Sequence, residues 1–253
     1  MKYEILRQFP IWTLVCVILS CSKQSSPPGT ASLTMINAVV GSSPSLVTNF
    51  SDPVQPVTWY YSALKLVYGN WVNTNQQGSY NGKQKLAVYH YPDTSAHSTP
   101  LFNLALDLPV GSIHTLFLTG TVTAPDTLFT TDAPPYHPPS DSSMGLRFVN
   151  LSPGRAPVSV NITGGAPGSE VSGLSYKNIT GFKNYPATAA VSSYTFEFRD
   201  AATGTLIGSL PVTGINNPGS NARRYRNLTL ALLGLPGDPT TLKIMLIESY
   251  TSF

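Results

Sequence analysis

The side chains of this chain that could do chemistry are few and scattered. Its four histidines, His90, His97, His114 and His137, do not fall at the spacing of metal-ligand pairs. A nucleophile elbow (Gly-x-Ser-x-Gly), a phosphate-binding Gly-x-x-x-x-Gly-Lys-Ser/Thr and a His-Glu-x-x-His are all absent. A glycosidase would need two carboxylates held across a cleft. Asp93, Asp107, Asp126 and Asp132 show no such pattern and read as residues of turns and strand ends. Tyr136 and His137 sit in a proline-rich stretch and read as connector residues, with a ligand site as the alternative. The one basic cluster, Ala222-Arg223-Arg224-Tyr225-Arg226-Asn227, reads as an edge strand whose charges discourage pairing with neighbours. Its alternative is a contact for acidic glycan. No cofactor and no metal is therefore expected, and no residue is assigned a catalytic role.

Aromatic side chains are more suggestive. Trp59, Tyr60, Tyr61, Tyr68, Trp71, Tyr80, Tyr89 and Tyr91 gather in the first half of the chain. Their apolar faces could stack on sugar rings. Trp59, Tyr60 and Tyr61 are the candidate glycan contacts, because their segment has no counterpart in the second half. Five Asn-x-Ser/Thr triplets, at Asn49, Asn150, Asn161, Asn178 and Asn227, are what a chain of this composition produces on its own.

The front of the chain carries an address. Lys2 and Arg7 precede an almost wholly apolar run, Phe9 to Ser20. That run is short for a membrane-spanning helix, which needs about 20 apolar residues, and has the length of a signal-peptide apolar region. It ends in Ile18-Leu19-Ser20-Cys21, which resembles the bacterial lipoprotein processing motif, with small Ser20 before the cut and Cys21 as the lipidated residue. Residues 1–20 are thus expected to be a signal peptide, and 21–30, with Ser-Ser-Pro-Pro-Gly, a flexible tether. The only other cysteine, Cys16, would leave with the signal, so neither a disulfide nor a cysteine metal site is expected.

What must position any site is a duplicated body. Leu33, Asn37, Gly41 and Pro44 recur in register as Leu146, Asn150, Gly154 and Pro157. Leu66, Tyr68 and Asn70 recur as Leu174, Tyr176 and Asn178, and Thr115 to Gly120 aligns with Thr229 to Gly234. Unit one is placed at 31–132 and unit two at 144–253. Residues 133–143, with four prolines in seven residues, form a semi-rigid linker between them. In this register Trp71 matches Ile179, so Trp71 is expected in a core.

Charged residues make up only 11% of the chain, against roughly 25% in typical domains. Short runs such as Ser193-Tyr-Thr-Phe-Glu-Phe-Arg199 alternate with a period of two between turn residues. The fold class that follows is all-β, as two tandem immunoglobulin-like or transthyretin-like β-sandwich domains of about six to eight strands each. The run from Leu146 to Gly165, followed by Leu174-Ser-Tyr-Lys-Asn-Ile179, resembles the domain of unknown function 4397 family, whose members occur in tandem in Bacteroidetes-type lipoproteins. The resemblance implies an exported β-sandwich and brings no activity with it.

The net charge of +3 is too small to argue for nucleic acid. The expected partner is a membrane, reached through lipid on Cys21, with a glycan or an envelope protein as the second. The expected role is non-catalytic, a binding or structural one at the cell envelope, with the outer membrane as its place and either face open. The alternatives are a glycan-binding lipoprotein for polysaccharide capture and an envelope hydrolase.

Overall fold

The computed structural model describes residues 29–50, 64–93, 97–217 and 221–249. Its regular structure is all strand apart from one short 3₁₀ turn at Asn73–Asn75. Unit one contributes β1 (Thr30–Asn37), β2 (Leu46–Asn49), β3 (Lys65–Leu66), β4 (Gln76–Tyr80), β5 (Gly82–His90), β6 (Phe102–Leu108), β7 (Ile113–Thr121) and β8 (Ala124–Thr131). Unit two contributes β9 (Ser143–Asn150), β10 (Val158–Ile162), β11 (Val171–Leu174), β12 (Lys183–Pro186), β13 (Tyr194–Asp200), β14 (Leu206–Val212), β15 (Asn227–Leu233) and β16 (Lys243–Ser249).

The two units share one topology. Unit one pairs its strands as β4-β1-β7-β8 and β3-β2-β5-β6, and unit two as β12-β9-β15-β16 and β11-β10-β13-β14. In each, the first and seventh strands run parallel and all other neighbours antiparallel. An immunoglobulin sandwich keeps its first two strands in one sheet. Here they lie in different sheets, which leaves the transthyretin-like arrangement of the two alternatives.

The residues that repeat in sequence are those that close each sandwich. Asn37 Nδ2 donates to the Leu66 carbonyl (2.9 Å), and its Oδ1 accepts from the Val39 N–H (3.0 Å). Asn150 does the same with the Leu174 carbonyl and the Ser152 N–H, both at 3.0 Å. The loop after the third strand returns the contact, with Gly69 N–H on the Asn37 carbonyl and Lys177 N–H on that of Asn150. Gly69 and Lys177 both take a left-handed backbone, at φ 58° and 62°. A buried Asn thus ties the first strand across to the other sheet in both units.

Three large cores run through the stack, beside a small cluster of Ala87 and Tyr89. Leu33, Met35, Leu86, Val88 and Leu116 lie between the sheets of unit one. Leu146, Phe148, Phe196, Phe198 and Leu230 lie between those of unit two. The third core joins the units: Ile36 and Phe117 from one side meet Val149, Ala231, Met245 and Ile247 from the other, with Tyr68, Trp71 and Ile179 packed against them. The sheets are therefore stacked in four layers, and the central strands of the two inner sheets are covered on both faces. This explains the continuous burial of β9 and β15, which follows no period of two. The outer-layer β13 keeps the alternation, with Phe196 and Phe198 buried.

The shared core is pseudo-two-fold. Val149 occupies the repeat position of Ile36, Ile179 that of Trp71, and Ala231 that of Phe117. The last pairing sets a large ring against a methyl where two equal side chains would compete for space. Polar struts repeat with the same symmetry. Tyr68 Oη donates to the Thr241 carbonyl (2.6 Å), while Tyr176 Oη donates to Asp126 Oδ2 (3.3 Å) in the matching hairpin. Lys243 Nζ reaches the Tyr68 carbonyl (3.1 Å), and Lys177 Nζ reaches Asp126 Oδ1 (2.8 Å). Burial pushes the Asp126 carboxyl up, but Lys177, the Thr127 N–H and Tyr176 outweigh it and hold the group below the usual range. Burial, with the Asp238 carboxylate second, pushes the Tyr68 phenol up to about 12.

Two outcomes follow. Asn150→Ala leaves the Leu174 carbonyl and the Ser152 amide buried and unpaired, so urea unfolding should show a loss of about 2–4 kcal/mol; a loss below about 1 kcal/mol would contradict the tie. The strut chemistry also sets a pH window for unit docking. Asp126 stabilises the folded state above the ordinary carboxylate value of about 3.9, and that contribution disappears as pH falls through its lowered folded value. Tyr68 contributes fully below the ordinary phenol value of about 10 and less as pH rises toward 12. The methyl NMR signals of Ala38 and Ala231 should shift on both limbs, and flat signals would contradict the role of the struts.

Candidate functional site

Cys21 and the candidate glycan contacts Trp59, Tyr60 and Tyr61 lie outside the described residues. Of the other aromatics in unit one, Tyr68 and Trp71 belong to the shared core, and Tyr89 is buried in β5. Lys65 lies 5.4 Å from the ring of Tyr91. The histidines occupy separate places. His90 Nε2 meets the Ser43 carbonyl at 3.0 Å, and His114 stacks on Phe129 at 4.8 Å. Among the described residues, no three metal-ligating side chains come together. Asn49, Asn150, Asn161 and Asn227 are buried, which suits a compositional origin for their triplets.

Asp132 corrects the turn reading of the acids. It closes unit one as a fully buried carboxylate, at 0% side-chain exposure, against the 6% exposed side chain of Arg147 on β9. Arg147 Nη1 donates to Asp132 Oδ1 at 2.8 Å, Thr130 Oγ1 donates to the same oxygen, and Thr115 Oγ1 to Oδ2. Arg147 Nε donates to Thr229 Oγ1 (2.9 Å), and the guanidinium lies 4.6 Å from the Phe182 ring. The carboxylate of this deep pair is met by three donors, whereas Arg147 Nη2 is buried without a hydrogen-bond partner. The pair bridges the units beside the linker.

The basic cluster is a turn, and this corrects the edge-strand reading. Asn221 Oδ1 accepts from the N–H groups of Arg223 and Arg224, and Tyr225 takes a left-handed φ of 62°. Both features divert the chain from extended geometry just before β15. That strand is then flanked on both sides, by β9 and β16. Arg223 is spent on Glu248 and the Thr213 carbonyl.

This turn faces the linker across a cleft of about 570 Å³, lined by Pro134 to His137, Asn221 and Arg224 to Asn227. The cleft is held from beneath. Asn227 Nδ2 donates to the Pro135 carbonyl (2.9 Å) and its Oδ1 lies 3.1 Å from His137 Nε2. Tyr225 ties the turn to the linker through its N–H on the Ser143 carbonyl and its Oη on the Pro139 carbonyl, both at 2.8 Å. Gly145 lets these segments meet, because a Cβ there would collide with Asn227 Oδ1.

Ser143 and His137, both buried, meet the part-exposed Asp141 in a cluster whose residue types invite a hydrolase reading. Its geometry differs from a nucleophile relay. Ser143 Oγ (3.1 Å) and Asp141 Oδ2 (3.4 Å) both approach Nδ1 of His137, and Ser143 Oγ also donates to Asp141 Oδ2 (2.8 Å). In a relay the serine and the carboxylate sit on opposite ring nitrogens. Here Nε2 is taken up by Asn227, which fixes it as the donor to the amide oxygen. The cluster is a latch that fastens the linker to β9 and β15. His137 is thus more than a connector residue, whereas Tyr136 next to it is 82% exposed. Residue types at 134–137 and 222–226 signalled both walls of the cleft, but nothing in the sequence placed them opposite each other.

No protein-family model matches the chain, and no curated protein matches it. Among solved structures, a carbohydrate-binding module of family CBM26 from Eubacterium rectale Amy13K, determined in complex with maltoheptaose, aligns with 86% of this chain and 97% of its own. The identity is 11% and the TM-score 0.26, so no residue role is carried over from it.

Asp132→Ala should cost about 3–5 kcal/mol in urea unfolding, because it strands a buried guanidinium. Adding Arg147→Met should recover most of that loss. No recovery would mean that Asp132 acts through its threonine donors and not through the charge pair.

Proposed function

We propose that this chain is an exported, lipid-anchored protein of the cell envelope with a non-catalytic role: it carries a rigid binding surface on a flexible tether close to a membrane. The observation that carries this reading is the third core. Interfaces between domains of one chain leave them mobile unless they are large and apolar. Here an apolar core with reciprocal polar struts joins the two sandwiches. The groups that a catalytic reading would recruit are engaged in holding the body together, namely Asp132 on Arg147, Asp126 on Lys177, and His137 on Asn227 and Ser143. The leader, the Ile18-Leu19-Ser20-Cys21 motif and the likeness of unit two to the family of domain of unknown function 4397 support export and anchoring.

The glycan-capture reading, a saccharide-binding lipoprotein, is favoured by one observation in the described residues. Tyr136 and Tyr225, 82% and 40% exposed, flank the linker cleft with arginines beside them.

Mass spectrometry of protein extracted from membranes should find Cys21 as an acylated N-terminal residue. Cys21→Ser should move the protein to the soluble fraction. An intact Met1 terminus, or membrane attachment unchanged by Cys21→Ser, would overturn the anchor.

A further inference from the structure

We propose that the cleft between the linker and the 221–226 turn binds a carboxylate-bearing saccharide, with Arg224 as the carboxylate contact and Tyr136 as the sugar platform. This deepens the non-catalytic binding reading above and rests on it. The volume, about 570 Å³, is that of a ligand pocket and suits a short oligosaccharide.

Charge selects the ligand class. Arg224 and Arg226 line the cleft, and among the described residues no carboxylate does. Two acids of the neighbourhood are engaged elsewhere: Glu248 on β16 with Arg223, and Asp141 of the linker with Ser143 and His137. Arg224 Nε donates to the Ala187 carbonyl (3.1 Å), which orients the guanidinium, and no carboxylate among the described residues pairs with it. A guanidinium fixed in this way offers its remaining N–H groups as a planar fork, the geometry that matches a carboxylate.

The aromatic rings select a sugar over a bare anion. Tyr136 leaves 82% of its surface in water on the rim of a cleft whose other parts are well pinned. A pyranose presents an apolar C–H face to such a ring and hydroxyls to solvent. Tyr225 adds a second ring at the opposite wall, in a left-handed backbone held by its own hydroxyl on Pro139. Non-glycine residues in that conformation concentrate at ligand sites, where the surrounding bonds maintain the strain. Asn221 and Asn227, which line the cleft, already spend their amides on the backbone and on His137, so recognition falls to Arg224 and the rings.

Isothermal titration calorimetry of the full folded body with galacturonic acid trimer tests this, beside neutral galactotriose and inorganic phosphate. The acidic trimer should bind at least about tenfold more tightly than galactotriose. Arg224→Gln and Tyr136→Ala should each weaken it about tenfold or more. Tyr136→Ala removes an exposed ring and leaves the fold intact, so it reports on the site even where Arg224→Gln disturbs the turn. Absence of binding at millimolar trimer, equal affinity for galactotriose, competition by phosphate at equal concentration, or binding unchanged in Tyr136→Ala would each overturn the proposal. Mass spectrometry of the recovered trimer separates the two readings. An intact trimer supports both, whereas cleavage would keep the site and overturn the non-catalytic role.

Discussion

The contact on which the structure depends is the apolar layer between β1 and β7 of unit one and β9, β15 and β16 of unit two. Ile36, Phe117, Val149, Ala231 and Ile247 point away from the cores of their own sandwiches and into this layer. Each fully buried Ile, Val or Phe among them stabilises by about 1.5–3 kcal/mol relative to exposure. The central strands β1, β7, β9 and β15 of the inner sheets therefore have almost no solvated face while the units are docked. The linker, the buried pair of Asp132 with Arg147 and the His137 latch all lie beside this layer and take their positions from it.

The architecture was legible because duplication writes itself into sequence. Asn37 and Asn150, Leu66 and Leu174, and Tyr68 and Tyr176 were matched as letters, and each pair does the same work in both units. Gly120 and Gly234, matched in the same way, both sit at positive φ where a Cβ would strike a carbonyl across the hairpin. The matching of Trp71 with Ile179 placed Trp71 in a core, though the core it joins lies between the units and not within one. Alternation with a period of two marked β13 and failed on β9 and β15, because a strand covered on both faces carries no polar side to alternate with.

The cleft was less legible, for a physical reason. Its walls come from segments some ninety positions apart in the chain, joined by Asn227 reaching Pro135 and His137. The charge pattern of Ala222 to Asn227 suits a strand edge as well as a loop, and what decides between them is the Asn221 side chain and the backbone of Tyr225. Asp132 misled in the same manner. A carboxylate at a strand end is ordinarily a turn residue, and only the position of Arg147 in the second unit made it a buried partner. The serine, histidine and aspartate near the linker show the converse case, in which types that suit catalysis are arranged on one ring nitrogen as a fastening.

The central claim is that the two sandwiches move as one body, and residual dipolar couplings of the backbone amides test it most directly. In a weakly aligned sample, couplings from the strands of unit one and unit two should fit a single alignment tensor of common magnitude and orientation. Two tensors of different magnitude would mean that the units reorient independently, and would contradict the shared core as the feature that organises the molecule.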